Sequence, residues 1–205
     1  MYEGIIKFNC NWKEEKPLQA NELQEINKWR GKLFKVGLIG AYKDGIGFGN
    51  ISIRAENNSF IITGSGTGHM KNINENHFVT VTDYDLEKNC LTCKGPAIAS
   101  SESLSHAVIY KCSPETNAVI HVHNLKMWKE LLGKVPTTNK VIPYGTPEMA
   151  NEIKRLFKES LVNEVKIIVM GGHEEGIISF GKTLEKAGGI ILKKMRQLNN
   201  SNRIE

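Results

Sequence analysis

Apolar and small residues recur at roughly helical spacing between positions 21 and 42, with Leu23, Ile26, Leu33, Phe34, Gly37, Leu38 and Ala41 on one stripe. The segment therefore predicts an amphipathic helix, closed by Lys43-Asp44-Gly45. Beyond it the pattern shortens to β-like runs over 50–55, 60–63, 78–82 and 91–94, separated by Gly, Asn and Asp turns. Strands joined this tightly pair antiparallel, because a parallel crossover needs a dozen or more residues. A helix is predicted over 101–111, a strand over 118–123, a short helix over 125–132 and another helix over 147–160. Two strands, 165–170 and 177–180, and a closing helix over 184–198 complete the chain. Residues 1–20 read as irregular. The order predicts an α/β fold, a largely antiparallel sheet with helices packed on it. No internal repeat, linker or low-complexity segment divides the 205 residues, so one domain is expected.

The strand over 118–123 carries the most specific pattern, Val119-Ile120-His121-Val122-His123-Asn124. Residues i and i+2 of a strand share a face, so His121 and His123 project side by side. Such a pair is either two histidines satisfied by hydrogen bonds or two ligands of one cation. His173, at the end of a later apolar run, supplies a third imidazole. Three protein ligands with an open position make the ligand set of a catalytic zinc ion.

Composition narrows the partners. The chain has 27 Lys and Arg against 22 Asp and Glu, a net charge of +5, but the basic residues are scattered. The short cluster at Lys193, Lys194, Arg196 and Arg203 reads as a solvated helix face, so no nucleic-acid partner is expected. No apolar stretch has the length of a membrane helix, and the first residues lack signal-peptide features. The expectation is a cytoplasmic protein without membrane contact, in which Cys10, Cys90, Cys93 and Cys112 stay reduced. Cys90-Leu-Thr-Cys93 has C-x-x-C spacing but no second pair to complete a zinc site, and is read as ordinary strand sequence.

Three further clusters fall at element ends. Gly49-Asn50-Ile51-Ser52 is a turn into a strand, or a place where an amide meets a ligand. Thr63-Gly64-Ser65-Gly66-Thr67-Gly68 is a flexible turn or an anion nest; it fits neither a Walker loop nor a dinucleotide fingerprint. Ser100-Ser101-Glu102 opens a helix, as ordinary capping or as a phosphate site with Glu102 turned to proton transfer. His106, one turn beyond, is read as a packing histidine.

With these five groups in order, Gly49 to Ser52, Thr63 to Gly66, Ser100 to Glu102, His121 to His123 and Gly172-His173, the chain resembles the class II aldolase and adducin family, in its L-fuculose-phosphate aldolase branch, over about residues 22–195. The resemblance implies a three-layer αβα fold around a mostly antiparallel sheet. It implies zinc or another divalent ion on His121, His123 and His173, with Glu102 as acid/base and a further candidate ligand. Asn50, Ser65, Gly66, Ser100 and Ser101 would hold a substrate phosphate. The implied reaction is aldol cleavage of a small phosphorylated sugar through an enediolate, in a homo-oligomer, most often a fourfold tetramer. The same residues would also serve a sugar-phosphate epimerase, a dehydratase or a decarboxylase, whereas an adducin-like module would do no chemistry. Two features depart from the family pattern. The segment after His123 is short, so the family's tyrosine acid is not placed and Tyr144 is not assigned its role. His173-Glu174-Glu175-Gly176 stands where the family usually has His-Gly, and the acidic pair is left as ligand, repellent of anions or solvent-facing.

Overall fold

The computed structural model describes residues 5–201. A 3₁₀ turn at Ala20–Leu23 leads into α1 (Gln24–Lys35), which buries Ile26, Trp29, Arg30 and Leu33. The helix ends seven residues before the predicted limit of 42. Gly37, at φ +73°, takes the left-handed position after the last turn; its N–H bonds the Phe34 carbonyl, and the Leu38 N–H reaches back to Leu33 at 3.0 Å. Leu38 and Ala41 keep helical spacing only by coincidence. Leu38 is the buried residue that seals the cap, and the chain then forms a two-residue hairpin, β2 (Gly40–Ala41) with β3 (Gly47–Phe48).

Among the described residues the main sheet has eight strands. β4 (Asn50–Arg54), β5 (Phe60–Thr63), β6 (Phe78–Asp85) and β7 (Cys90–Gly95) form the expected antiparallel meander. β8 (Ala118–His123) then inserts beside β4, followed by β10 (Gly176–Gly181) and, at the edge, β9 (Ile167–Val169), all antiparallel. At the other edge β1 (Asn9–Glu14) pairs parallel with β7, inside the segment expected to be irregular. Its side chains are mostly exposed, so no alternation announces it; what holds it is ladder pairing with β7 and the Trp12 indole N–H on the Gly95 carbonyl at 2.9 Å. The strand expected over 165–170 is shorter than predicted. A helical turn, α5 (Val162–Val165), ends with Lys166 left-handed at φ 54° before β9 begins.

Alternation along β8 divides the protein into three layers. Val119 joins a core of Phe60, Ile62, Val81, Leu104, Ala107 and Phe180 beneath α2 (Ser103–Cys112) and α4 (Pro147–Glu159). Ala118, Ile120 and Val122 join the opposite core, beneath α1, α3 (Leu125–Leu131) and α6 (Leu184–Ser201). The predicted αβα architecture with a mostly antiparallel sheet is thus observed. Burying apolar side chains on both faces is worth roughly 1.5–3 kcal/mol for each large residue, which stabilises a central strand such as β8 strongly. A close backbone approach completes the frame. A Cβ on Gly171 would lie 2.2 Å from the Thr138 carbonyl and one on Gly172 1.9 Å from that of Ile142, so only glycine lets this loop reach the end of β9.

Candidate metal centre and active site

His121 and His123 leave β8 on the α2 face, as their two-residue spacing requires. Asn50 of β4 stands directly opposite His121, and Gly176 of β10 opposite His123. His173 comes from the tight turn between β9 and β10, closed by bonds from the His173 N–H to Met170 and from the Gly176 N–H to His173. Gly176 lets the ring lie flat on the turn, since a Cβ there would be 3.1 Å from its Cγ and Nδ1.

The three rings meet. Their ligand nitrogens lie within 4.8 Å of one another, and His121 Nε2 is 3.0 Å from His123 Nε2. Two nitrogens on a tetrahedral zinc ion would be roughly 3.3 Å apart, given Zn–N bonds near 2.0–2.1 Å. Burial pushes the imidazolium forms of His121 and His123 well below the usual histidine range, and the neighbouring histidines push in the same direction. Neutral imidazoles with facing nitrogens are what a divalent cation needs, because protons no longer compete for the lone pairs. The donor set therefore fits such an ion.

Glu102 occupies the cap position of α2, which begins two residues later than predicted, and is 1 % exposed. Its Oε1 stands 3.8 Å from His173 Nδ1, and its Oε2 accepts from the Ser105 hydroxyl at 2.8 Å. The compact nitrogen set closes without Glu102, which lies at its edge. His106, one turn on, points into the core: its Nδ1 is 2.7 Å from the Ser52 hydroxyl, itself 2.8 Å from the Tyr110 hydroxyl. Burial lowers its pKa from 6.5 to about 3, so it is a neutral packing group.

The glycine loop is only partly a nest. The N–H groups of Gly64 and Ser65 are taken by the carbonyls of His77 and Ile98, and the buried Arg30 guanidinium holds the carbonyls of Thr67, Gly68 and Lys71. A ligand is left with the Ser65 side chain and the exposed Gly66 peptide at φ +74°. A bridge between Gly64 and Ala99 sets this loop beside Ser100 and Ser101, which run into Glu102. Asn50 Oδ1 is buried without a hydrogen-bond partner, an acceptor held ready on the same face as His121. The expected residues thus come from neighbouring elements, with Asn50 next to the histidines and Ser65 and Gly66 next to Ser100 and Ser101.

Phe48, Tyr42 and Lys7, which sequence reasoning did not single out, join Tyr144 and Glu175 around the histidines. Phe48 stacks on His123 with centroids 5.3 Å apart. The Tyr42 hydroxyl lies 2.7 Å from His123 Nδ1 and donates to Glu175 Oε2 at 3.1 Å. Tyr144, not given a role above, is buried and stacked on His173 with centroids 4.4 Å apart, while Lys7 Nζ lies 3.6 Å from the Tyr144 ring centroid. Aromatic residues ahead of Gly-rich turns were the available signal, but only the fold shows which ring meets which histidine. Cys90 and Cys93, three apart on β7, point to opposite faces and make no joint site.

A sequence profile of the class II aldolase and adducin N-terminal domain matches residues 42–192. The chain belongs to that family. No curated protein sequence matches it directly. Among solved structures this family member is similar to an L-fuculose 1-phosphate aldolase, with 20 % identity, a TM-score of 0.67, and coverage of 92 % of this chain and 87 % of the other. A sugar-phosphate aldolase from Thermotoga maritima gives 17 % identity, a TM-score of 0.67 and coverage of 90 % and 94 %. YgbL of Escherichia coli, described as a putative aldolase/epimerase/decarboxylase, gives 16 %, 0.66, 91 % and 90 %. At these identities the likeness establishes the shared fold.

Proposed function

We propose that the protein is a divalent-metal-dependent aldehyde-lyase that cleaves a small phosphorylated sugar or hydroxycarbonyl compound. The observation that carries this reading is the convergence of three imidazoles with a buried carboxylate at 3.8 Å from one of them. His121, His123 and His173 would hold the ion, zinc in the first instance. When bound there, the ion supplies Lewis acidity to a carbonyl or hydroxyl oxygen, an effect worth several kcal/mol of developing charge.

The chain's own residues do the rest. Asn50, Ser65, Gly66, Ser100 and Ser101 receive the phosphate and so fix the reacting carbons beside the histidines. Glu102 takes or returns the proton at the carbon next to the carbonyl; the Ser105 hydroxyl pins one oxygen and aims the other towards His173. Tyr144 and Phe48 pack on the histidine rings, excluding water and limiting their rotation. In this reading the chain is one domain that assembles with copies of itself, a tetramer by resemblance.

Incubation of metal-loaded protein with a panel of phosphorylated ketoses, followed by mass spectrometry, tests the proposal. Release of a triose phosphate or glycolaldehyde phosphate is the expected result. Epimerised products, resolved by chromatography ahead of the mass spectrometer, or dehydrated or decarboxylated ones would assign the site to one of those reactions instead, and unchanged substrates throughout would contradict a lyase.

A further inference from the structure

The acidic pair after His173 departs from the family pattern, and the structure gives its two members different positions. Glu174 is exposed, whereas Glu175 is half-buried and accepts a hydrogen bond from the Tyr42 hydroxyl at 3.1 Å. The same Tyr42 oxygen lies 2.7 Å from Nδ1 of His123, whose Nε2 faces His121 Nε2. Tyr42 and Glu175 approach from opposite sides of the chain, 133 residues apart, and meet behind a single imidazole.

The donor directions are coupled. A carboxylate only accepts, so the Tyr42 proton points at Glu175 and the tyrosine oxygen offers its lone pair to His123. His123 must then carry its proton on Nδ1 and present the bare Nε2 to the centre of the three rings. If the carboxylate were absent, the Tyr42 hydroxyl would be free to donate to Nδ1, moving the histidine proton to Nε2, where it blocks the position a cation needs. The backbone gives a second indication. Glu175 sits at φ 70°, a conformation that costs a non-glycine residue roughly 1 kcal/mol or more and that glycine adopts freely. A residue strained in this way is retained here with its side chain committed to Tyr42.

We infer that Tyr42 and Glu175 form a positioning relay that fixes the tautomer and ring orientation of His123, so that its Nε2 lone pair is presented to a divalent cation. The relay rests on the metal-site reading above. It does not touch substrate, and it acts through His123. Orienting partners of this kind change metal affinity by about 10–100-fold when removed.

The test is metal affinity. Metal-free protein is titrated with Co²⁺ and Zn²⁺ in competition with a chromophoric chelator, and the visible Co²⁺ spectrum is recorded. Tyr42→Phe keeps the ring and removes the hydroxyl; Glu175→Gly removes the carboxylate and suits the left-handed backbone. Each is expected to weaken binding about 10–100-fold and to alter the Co²⁺ bands. The double variant should lose little more than either single one, because the two act as a unit. Glu175→Gly should unfold at the same temperature as the parent or higher, which a merely structural role would not allow alongside the affinity loss. Glu174→Gln should bind as the parent does. Wild-type affinity and spectra in both relay variants would overturn the relay while leaving the metal site standing. Failure of the folded parent protein to bind either ion would overturn the metal reading, and the relay with it.

Discussion

Glu102 is a carboxylate held at the start of a helix, where free N–H groups favour negative charge, with one oxygen fixed by Ser105 and the other turned to His173. Because it stands at the edge of the nitrogen cluster, Glu102→Gln is expected to leave metal content near normal while turnover falls by about 10²–10⁴-fold. Normal turnover in that variant would remove its assigned role. A second expectation concerns acid. His106 is neutral in the folded protein, with a pKa near 3, and returns to about 6.5 when the chain unfolds. The unfolded state therefore binds the extra proton, so the stabilisation is complete above pH 6.5 and is lost as pH falls from there towards 3. The slope from this residue is about 1.4 kcal/mol per pH unit across that window. His121 and His123 are shifted in the same direction, so the His106 share is read as the difference in pH dependence, between pH 7.5 and 5.5, of urea midpoints for chelator-treated parent and His106→Gln protein; identical pH dependence in the two would contradict it. At this scale the histidines were legible because strand alternation is a local rule. Tyr42 and Glu175 were not, since their partners lie 81 and 133 residues away in sequence.

Elements were legible where apolar periodicity agreed with local backbone chemistry, and misread where it did not. The meander and the six-residue β8 follow from alternation and turn residues. The first helix was extended past Gly37 because apolar spacing continued through a left-handed cap. Helix α6 offers a direct check on packing against propensity, for its two adjacent glycines face different surroundings. A Cβ on Gly188 would lie 2.3 Å from the Trp29 ring, whereas one on Gly189 meets nothing within 4 Å. Gly189→Ala should raise stability by about 0.5–1 kcal/mol through helix propensity, and Gly188→Ala should lower it by about 1–3 kcal/mol through overpacking. Chemical denaturation of the two variants reads both signs, and equal effects would show that the α1 to α6 contact is looser than described.

At the scale of the whole molecule, function depends on two long returns of the chain. β8 inserts between β4 and β10, far from either in sequence, and this places Asn50, His121, His123 and the His173 turn on one face. Local pattern could not give that order; the likeness of five spaced motifs to one family implied the layers and the grouping of the three histidines, and the strand order emerges only from the fold. The edge strand β1 lay beyond both kinds of signal: exposed on most of its side chains, it is specified by backbone pairing to β7. No helix among the described residues is long and apolar enough to cross a membrane. A single cation held by three imidazoles is the element on which the proposed chemistry depends. X-ray absorption at the zinc edge of protein loaded with one equivalent of Zn²⁺ tests this most directly. Three imidazole nitrogens at about 2.0–2.1 Å are expected; a shell of sulfur near 2.3 Å, or of oxygen without imidazole, would contradict the three-histidine site.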